Sequence, residues 1–421
     1  MFSSRSFVLL LFLFALALSG RAQDGLFADF VTSQGNFTCE LYYDRAPKTV
    51  ANFAGLATGE QPWLDLATGA VRRQPFYNGI IFHRVIKGFV IQGGSPNGQG
   101  TDGPGYSFPD EFHSTLRHTA AGFLSMANSG IHSNGSQFFV TLGATAHLDN
   151  KHSIFGKVVA GMEVVNAIGD TPTGTGDRPL TPVVIQSVSI RRVGAAAEAF
   201  LLSAQRLPRV GGADPRLVQE GANRLLTFGT IANADYRLFR SDNLLTWTAI
   251  NYGFFAAPPV GRIDVTSLAQ GKTQQFYRVP VIAYPDIFAP ARLAGKRLVF
   301  TFTAGNFAGS NTLEMTFNAD GTTGAIRAGS TTGTVSAYNW KPQTSAATPY
   351  AAFLAFLSSN EPQCDLYPYF TSATGGTFTG VKYSSPSQSL SGTFTIGEVA
   401  SATTTGRQQV RRQINRTRRT R

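Results

Sequence analysis

The segment FHRVIKGFVIQGGSPNGQGTDGPGY, residues 82–106, concentrates residue types that could do chemistry. His83 could transfer a proton, Arg84 could donate hydrogen bonds to an anion or a lone pair, and the glycine-rich run could surround a phosphate. A phosphate loop requires a GK[ST] ending and a helix directly after it. The run lacks that ending and is interrupted by Pro96 and Pro104, so it is predicted to be a structural loop.

The spacing of other reactive residues disfavours metal and hydrolase chemistry. The six histidines show no HxxxH or HExxH spacing and no cysteine accompanies them, so we expect no metal and no cofactor. Ser125 and Ser136 lie in LSMANSG and NGSQFF, and neither is part of a GxSxG elbow. A serine hydrolase is therefore disfavoured.

Composition indicates several β-rich, exported domains. A chain of 421 residues can form two to four domains. Charged residues make up only 14% of it, against about 25% in ordinary soluble domains. The net charge is +11, but seven arginines and no acids lie between Arg407 and Arg421, and without them it falls to +4. That value is too small to predict a nucleic-acid partner.

The N-terminus has the features of a secretory signal peptide. Arg5 precedes an apolar run from Phe7 to Leu18, and small residues precede Gln23, so residues 1–22 are predicted to be removed. The run is shorter than the ~20 residues that span a bilayer, which disfavours a retained anchor. We therefore expect export to the periplasm, the cell surface or the medium, with no transmembrane segment after cleavage.

The pattern of short apolar runs predicts mainly antiparallel β structure. In residues 24–193, helices are expected at APKTVANFAGLATGE and near GMEVVNAIG, and residues 60–78 are interpreted as a loop. Cys39 and Cys364 fall in different predicted domains, which favours two buried thiols over a disulfide and leaves pairing open. The later segments are a linker at 194–215, a fibronectin-like or immunoglobulin-like β module at 216–284, a Gly/Thr-rich β module at 290–398 and an Arg-rich disordered tail at 399–421.

Four segments occur in an order and spacing that resemble a known family. They are FHRVIKGFVIQGG at 82–94, GFLSMANSG at 122–130, NGSQFFVTL at 134–142 and HLDNKHSIFGKVVAGMEVV at 147–165. With them, residues 26–193 resemble a cyclophilin-type peptidyl-prolyl cis-trans isomerase. The resemblance implies an eight-stranded antiparallel barrel capped by two helices, followed here by two smaller β-rich modules of sandwich or barrel type.

The resemblance also implies roles for individual residues. Those in catalytic positions are Arg84, Phe89 and Gln92. Those in substrate-binding positions are Val90, Ala127, Asn128, Gln137, Phe139, His147, Leu148 and His152.

Two of these positions depart from the common family pattern. His147 stands where many relatives have tryptophan, which argues against strong cyclosporin binding, and Val90 replaces a frequent methionine. The long loop between Ala57 and Asn78 is expected to contact either substrate or another domain.

Three functions agree with these observations. The first is an isomerase that assists the folding of exported proteins and has proline-containing polypeptides as partners. The second is a catalytically weak module that binds proline-containing peptides. The third is a surface or matrix protein whose function resides in residues 203–398. The Arg-rich tail is predicted to be a solvated end, with contact to anionic glycans or lipids as the alternative.

Overall fold

A computed structural model of the chain describes residues 24–398 with short gaps. The predicted signal peptide at 1–22 and the Arg-rich tail at 399–421 lie outside the described residues. The gaps within the described range are 131, 232–233, 252–259, 286–292, 294, 308, 319–323, 343–351, 359–363, 373–374, 383–387.

The first part of the chain forms one curled, eight-stranded antiparallel sheet and a separate short hairpin. Its strands are β1 (Gly25–Thr32), β2 (Gly35–Leu41), β3 (Trp63–Asp65), β4 (Ala70–Arg72), β5 (Arg84–Ile86), β6 (Val90–Gly93), β7 (Phe123–Met126), β8 (Phe138–Thr141), β9 (Ile154–Ala160) and β10 (Ile185–Val193). The order across the large sheet is β10-β1-β2-β9-β7-β8-β6-β5, and β3 pairs only with β4. The predicted fold class, mainly β with a curled antiparallel sheet and further β units, is confirmed.

Two helices pack against this sheet at the predicted places. Helix α1 (Pro47–Thr58) begins with proline near its first position and buries a face that includes Val50 and Phe53. It ends at Gly59, whose backbone is left-handed with φ 82°. Helix α2 (Met162–Gly169) buries Val165 and Ile168.

The interpretation of residues 60–78 as a loop was wrong in part, because β3 and β4 form a hairpin there. The turn is held by Asp65, whose carboxylate accepts hydrogen bonds from the backbone amides of Ala67 and Thr68. Arg72 donates to the same carboxylate over 3.0 Å. A polar side chain that organises a tight turn leaves no apolar periodicity, which is why the pattern did not reveal the hairpin.

A second unit follows with three small sheets. Within residues 194–215, predicted as a linker, the chain forms helix α3 (Ala195–Glu198) and strand β11. The strands are β11 (Arg209–Gly212), β12 (Arg216–Glu220), β13 (Asn223–Gly229), β14 (Ala234–Tyr236), β15 (Leu238–Ser241), β16 (Thr248–Asn251), β17 (Val260–Asp264), β18 (Phe276–Arg278) and β19 (Pro280–Ala283), with helix α4 (Thr266–Ala269). They pair in the orders β11-β19-β14, β12-β13-β17 and β16-β15-β18.

The third unit is a closed eight-stranded barrel with its own core. Its strands are β20 (Lys296–Ala304), β21 (Thr312–Phe317), β22 (Gly324–Ala328), β23 (Thr331–Pro342), β24 (Ala352–Ser358), β25 (Cys364–Ser372), β26 (Gly375–Lys382) and β27 (Gln388–Glu398). Phe300, Leu313 and Met315 are fully buried inside it. The exact limits of the predicted domains stay a prediction.

The first and second units share one hydrophobic core. Val210, Ile282 and Tyr284 of the second unit belong to the same buried cluster as Phe82 and Phe138 of the first. Association of the two units therefore removes apolar surface of both from water.

Two further observations concern the cysteines and the helices. Cys39 is a buried free thiol, and burial raises its pKa; the side chain of Cys364 lies outside the described residues. Across the described part of the chain, no helix has the length and apolar character needed to cross a membrane.

The end of α1 provides a test of this packing. In Gly59→Ala, the new methyl group would lie 2.8 Å from the carbonyl carbon of Gln74. Both the left-handed backbone and this contact oppose it, so we expect the helix to lose about 2 kcal/mol or more of protection in amide hydrogen exchange.

Gly79→Ala is the matched control, because Gly79 has the same φ of +82° but no atom within 4 Å of the added carbon. Gly79→Ala should lose only the part of the protection that reflects the left-handed backbone of an alanine, about 1 kcal/mol. Equal losses in the two variants would contradict the packing argument.

Candidate active site

Three side chains in predicted site positions lie on one face of adjacent strands. Arg84 of β5 is directly opposite Gln92 of β6, which is directly opposite Phe139 of β8. Opposed residues of antiparallel strands point to the same face, with Cβ atoms about 5 Å apart. The residues that alternate with them are buried on the other face, in the core: Val85, Ile91, Val140.

Arg84 is half-exposed at the end of this row. Its Nε donates to the Asp177 carboxylate over 3.3 Å, and both side chains are accessible, at 40% and 45%. Asp177 lies in the short turn Thr175–Asp177, with a left-handed backbone at φ 59°. An accessible ion pair of this kind contributes about 0–1 kcal/mol, so the guanidinium can exchange this partner for a substrate.

A chain of hydrogen bonds connects Gln92, through Gln137, to the glycine-rich loop. Nε2 of Gln92 donates to Oε1 of Gln137 over 3.1 Å. Nε2 of Gln137 in turn donates to the carbonyl oxygens of Gly100, at 3.0 Å, and Asp102, at 2.9 Å. These bonds fix the orientation of both amides and hold the loop beside the row of site residues.

Phe139 is 4% exposed and is surrounded by two histidine rings. The ring of His118 is stacked on it at 6.0 Å between centroids, and the ring of His152 meets it edge-on at 5.5 Å. His152 is itself held by a 2.9 Å hydrogen bond between Nδ1 and the carbonyl oxygen of Met126. The phenyl ring therefore has a defined orientation.

Phe89 and His147 form a second aromatic contact. Their rings stack at 5.6 Å with an interplanar angle of 16°. Phe89 follows the turn that contains Gly88, and its carbonyl oxygen accepts a hydrogen bond from the amide of Leu142. Exposed His147 and half-buried Leu148 belong to the 3-10 turn Ala146–Leu148.

The groove of the candidate site lies over the face that carries Arg84, Gln92 and Phe139. The chain after β7 connects its two sides. The amide of Ala127 donates to the carbonyl oxygen of Gln137 over 2.9 Å. Nδ2 of Asn128 donates to the carbonyl oxygen of Lys151 over 2.7 Å. Because the amide of Asn128 is engaged in this way, its side chain organises the wall of the groove.

The predicted site residues divide into two groups. Gln92, Ala127, Asn128 and Gln137 line a pocket of about 580 Å³. The other predicted site residues are not among the described residues that line it: Arg84, Phe89, Val90, Phe139, His147, Leu148 and His152. Val90 is 3% exposed and lies two residues before Gln92 on β6, so its side chain is buried on the same face of the sheet as Gln92.

Comparison with known proteins agrees with this geometry. The family model described as "Cyclophilin type peptidyl-prolyl cis-trans isomerase/CLD" matches residues 27–190. Peptidyl-prolyl cis-trans isomerase B of Streptomyces anulatus is 51% identical over 168 residues, which cover 39% of this chain and 96% of that protein. The chain belongs to the cyclophilin-type peptidyl-prolyl cis-trans isomerases.

Other relatives cover the same region. The probable peptidyl-prolyl cis-trans isomerase A of Mycobacterium bovis is 49% identical over 161 residues, which are 38% of this chain and 88% of that protein. Peptidyl-prolyl cis-trans isomerase-like 1 of Emericella nidulans is 46% identical over 169 residues, which are 39% of this chain and 95% of that protein. The cyclophilin domain is thus the first of the three units.

Asp177 and the partners of His118 were not identified from the sequence. Asp177 lies 93 residues from Arg84 in a glycine-rich turn, and no local pattern links them. His118 contacts Asp149 through Nδ1, at 2.8 Å, and Ser125 through Nε2, at 3.1 Å. Ser125 and His118 are fully buried, so this arrangement supports Phe139 and has no access for a substrate.

Three histidines of the cyclophilin domain are kept neutral by burial. Desolvation lowers the pKa of His83 from 6.5 to about 4, and the nearby charges of Arg178 and Arg84 add to the effect. Desolvation also lowers the pKa of His118 and of His152, against the opposing influence of Asp149 in the first case and the Met126 carbonyl in the second.

The lowered pKa of His83 predicts a loss of stability in acid. As pH falls below about 6.5 the unfolded chain binds a proton, whereas the folded chain does not until about pH 4. The free energy of unfolding should therefore decrease over this interval, by on the order of 1 to 3 kcal/mol from His83.

The measurement is urea unfolding of the parent and of His83→Gln at several pH values between 7 and 4. The variant should show a shallower decrease, whatever its stability at pH 7. Identical pH slopes would contradict the lowered pKa, because His83 would then bind its proton equally well in the folded and the unfolded chain.

Proposed function

We propose that the groove of the cyclophilin domain isomerises X-Pro bonds by stabilising a twisted amide, without a covalent intermediate. The alignment of Arg84, Gln92 and Phe139 on one face of three adjacent strands carries this proposal. It joins a hydrogen-bond donor, a polar side chain and an apolar ring, the groups that rotation about an amide bond needs.

The barrier to rotation arises from amide resonance. It is about 20 kcal/mol, because the C–N bond is partly double. In the twisted state the lone pair returns to the proline nitrogen and can accept a hydrogen bond. The guanidinium of Arg84 donates to that nitrogen better in the twisted state than in the planar one, so it lowers the barrier.

The remaining residues hold the peptide while one end rotates. Phe139 seats the pyrrolidine ring, and the stacked Phe89 and His147 extend the apolar wall, as does Leu148. Gln92 and the backbone at Ala127 and Asn128 bind the flanking peptide. The hydrogen bonds that already orient Gln92 and Asn128 favour this arrangement, because little reorganisation is needed when substrate binds.

The ion pair of Arg84 with Asp177 favours a second candidate, a module that binds proline-containing peptides with little turnover. In that case the carboxylate would retain the guanidinium and compete with the proline nitrogen. The two candidates differ in rate and share peptide binding, so a rate measurement distinguishes them.

Replacing the arginine tests the catalytic proposal. We expect Arg84→Ala to lower kcat/KM about 10²–10³-fold, the usual effect of removing one transition-state donor. The measurement is cis-to-trans exchange of an Ala-Pro-Phe peptide by NMR, on the full chain, with peptide affinity measured in parallel.

Asp177→Asn is the control, because it removes the carboxylate charge and leaves the guanidinium. It should change kcat/KM by no more than about fivefold, the effect of an exposed ion pair. Peptide binding by a folded parent without rate acceleration would support the binding module. Full activity in Arg84→Ala would remove Arg84 from the mechanism.

We also propose that the protein acts on exported polypeptides. The charged start, short apolar run and small residues before Gln23 support export. Expression in a bacterial host should yield a mature protein outside the cytoplasm that begins at Gln23, as read by N-terminal sequencing. An uncleaved chain in the cytoplasm would overturn this proposal.

A further inference from the structure

An arginine of the second unit reaches the pocket of the cyclophilin domain. Arg237 directly follows β14, and its Nη2 donates to the carbonyl oxygen of Gly105 over 2.8 Å. Its Nε pairs with the carboxylate of fully buried Asp235 at 3.2 Å. Only 6% of Arg237 is exposed. The carboxylate of Asp235 neutralises its charge, and the two bonds together fix the position of its side chain.

The loop that Arg237 contacts forms one wall of the pocket. This loop, residues 100–107, is bound near its start by Gln137, which donates to the carbonyl oxygens of Gly100 and Asp102. Gly105 has a left-handed backbone at φ +87°, and a Cβ there would lie 2.6 Å from the Leu64 side chain. The loop thus has no room to shift toward β3, where the amide of Leu64 also donates to the carbonyl oxygen of Pro104. Gln137 binds the start of the loop and Arg237 binds it further along, at Gly105.

The pocket connects this loop with the candidate active site. Gln92, Ala127 and Asn128 line one side, residues 100–107 line the other, and Arg237 itself lies on the wall. A peptide whose proline is placed against Phe139 would therefore send a flanking segment past Gln92 into the pocket. Successive residues of an extended chain are about 3.3–3.6 Å apart, so a few residues suffice.

The contact between the two units is extensive enough to hold Arg237 in place. Beyond the shared core, the ring of Phe239 packs so closely on Gly69 that a Cβ there would lie 2.4 Å from it. Arg278 donates to the carbonyl oxygen of Thr68 over 2.8 Å and stacks on Trp247 at 3.8 Å. Two arginines of the second unit thus bind carbonyl oxygens of the cyclophilin domain, but only Arg237 lies at the pocket.

We propose that Arg237 is a positioning residue for the isomerase, and that the second unit completes its substrate-binding groove. By fixing the loop at 100–107, Arg237 shapes the subsite for residues that flank the X-Pro pair. The ligand is an extended polypeptide segment, because the wall offers backbone carbonyls and polar side chains, and its two charged groups are already engaged: Arg237 pairs with Asp235, and the Asp102 carboxylate accepts hydrogen bonds from Ser95 and the amide of Asn97. This inference rests on the proposed function.

The test compares two substrates on the full chain. One is a blocked Ala-Pro dipeptide, which is too short to reach the pocket. The other carries several residues on each side of the same Ala-Pro pair. We expect Arg237→Met to raise KM about fivefold for the long peptide, the effect of about one net hydrogen bond, and to leave the rate for the dipeptide unchanged.

Because Arg237→Met leaves Asp235 buried with its charge, the double variant Asp235→Asn/Arg237→Met is measured beside it. Arg278→Met is the matched control, since it removes the other inter-unit carbonyl bond. Arg278→Met should leave the ratio of the rate for the long peptide to the rate for the dipeptide the same as in the parent.

An unchanged ratio in both Arg237 variants would overturn the inference, as would an equal change in Arg278→Met. If the parent accelerates neither peptide, the proposed function itself fails and the inference fails with it. Acceleration of both peptides by the parent separates these two failures.

Discussion

The register of β5, β6 and β8 is the constraint on which the candidate site depends. Side chains alternate between the two faces of a strand, so the pairing that directs Arg84, Gln92 and Phe139 to the groove also directs their neighbours to the core. A slip of one residue would bury the guanidinium and expose Ile91. Burial of an unpaired charge costs several kcal/mol, and the apolar core therefore enforces the orientation of the site.

The groove is organised by hydrogen bonds to backbone carbonyls. Gln137 binds the loop at 100–107 and Asn128 binds Lys151 through uncharged amide side chains, and Arg237 of the second unit binds the same loop at Gly105. Burial lowers the pKa of His83, His118 and His152 and favours their neutral form, and Arg84 supplies the positive charge at the end of the row. A single charge beside an apolar ring suits a reaction in which a lone pair appears on one nitrogen and no proton is transferred.

The second unit is joined to the cyclophilin domain through a common core. The composition of residues 194–215 indicated a linker, yet β11 lies there and pairs with β19, about seventy residues later. That pairing brings Ile282 and Tyr284 onto the first unit. A short strand whose partner is so distant has no local signal, because its apolar residues acquire a period only within the sheet.

The sequence by itself determined the fold class and both helices of the cyclophilin domain, and its family resemblance indicated candidate site residues. Those features depend on residues that are close together in the sequence. A helix begins at Pro47 and ends at Gly59, and the family resemblance rests on the order of short motifs. The tertiary structure alone decided that Asp177 meets Arg84 and that Arg237 meets Gly105, across separations of 93 and 132 residues. Such contacts form when separate elements pack together, so no pattern of spacing along the chain predicts them.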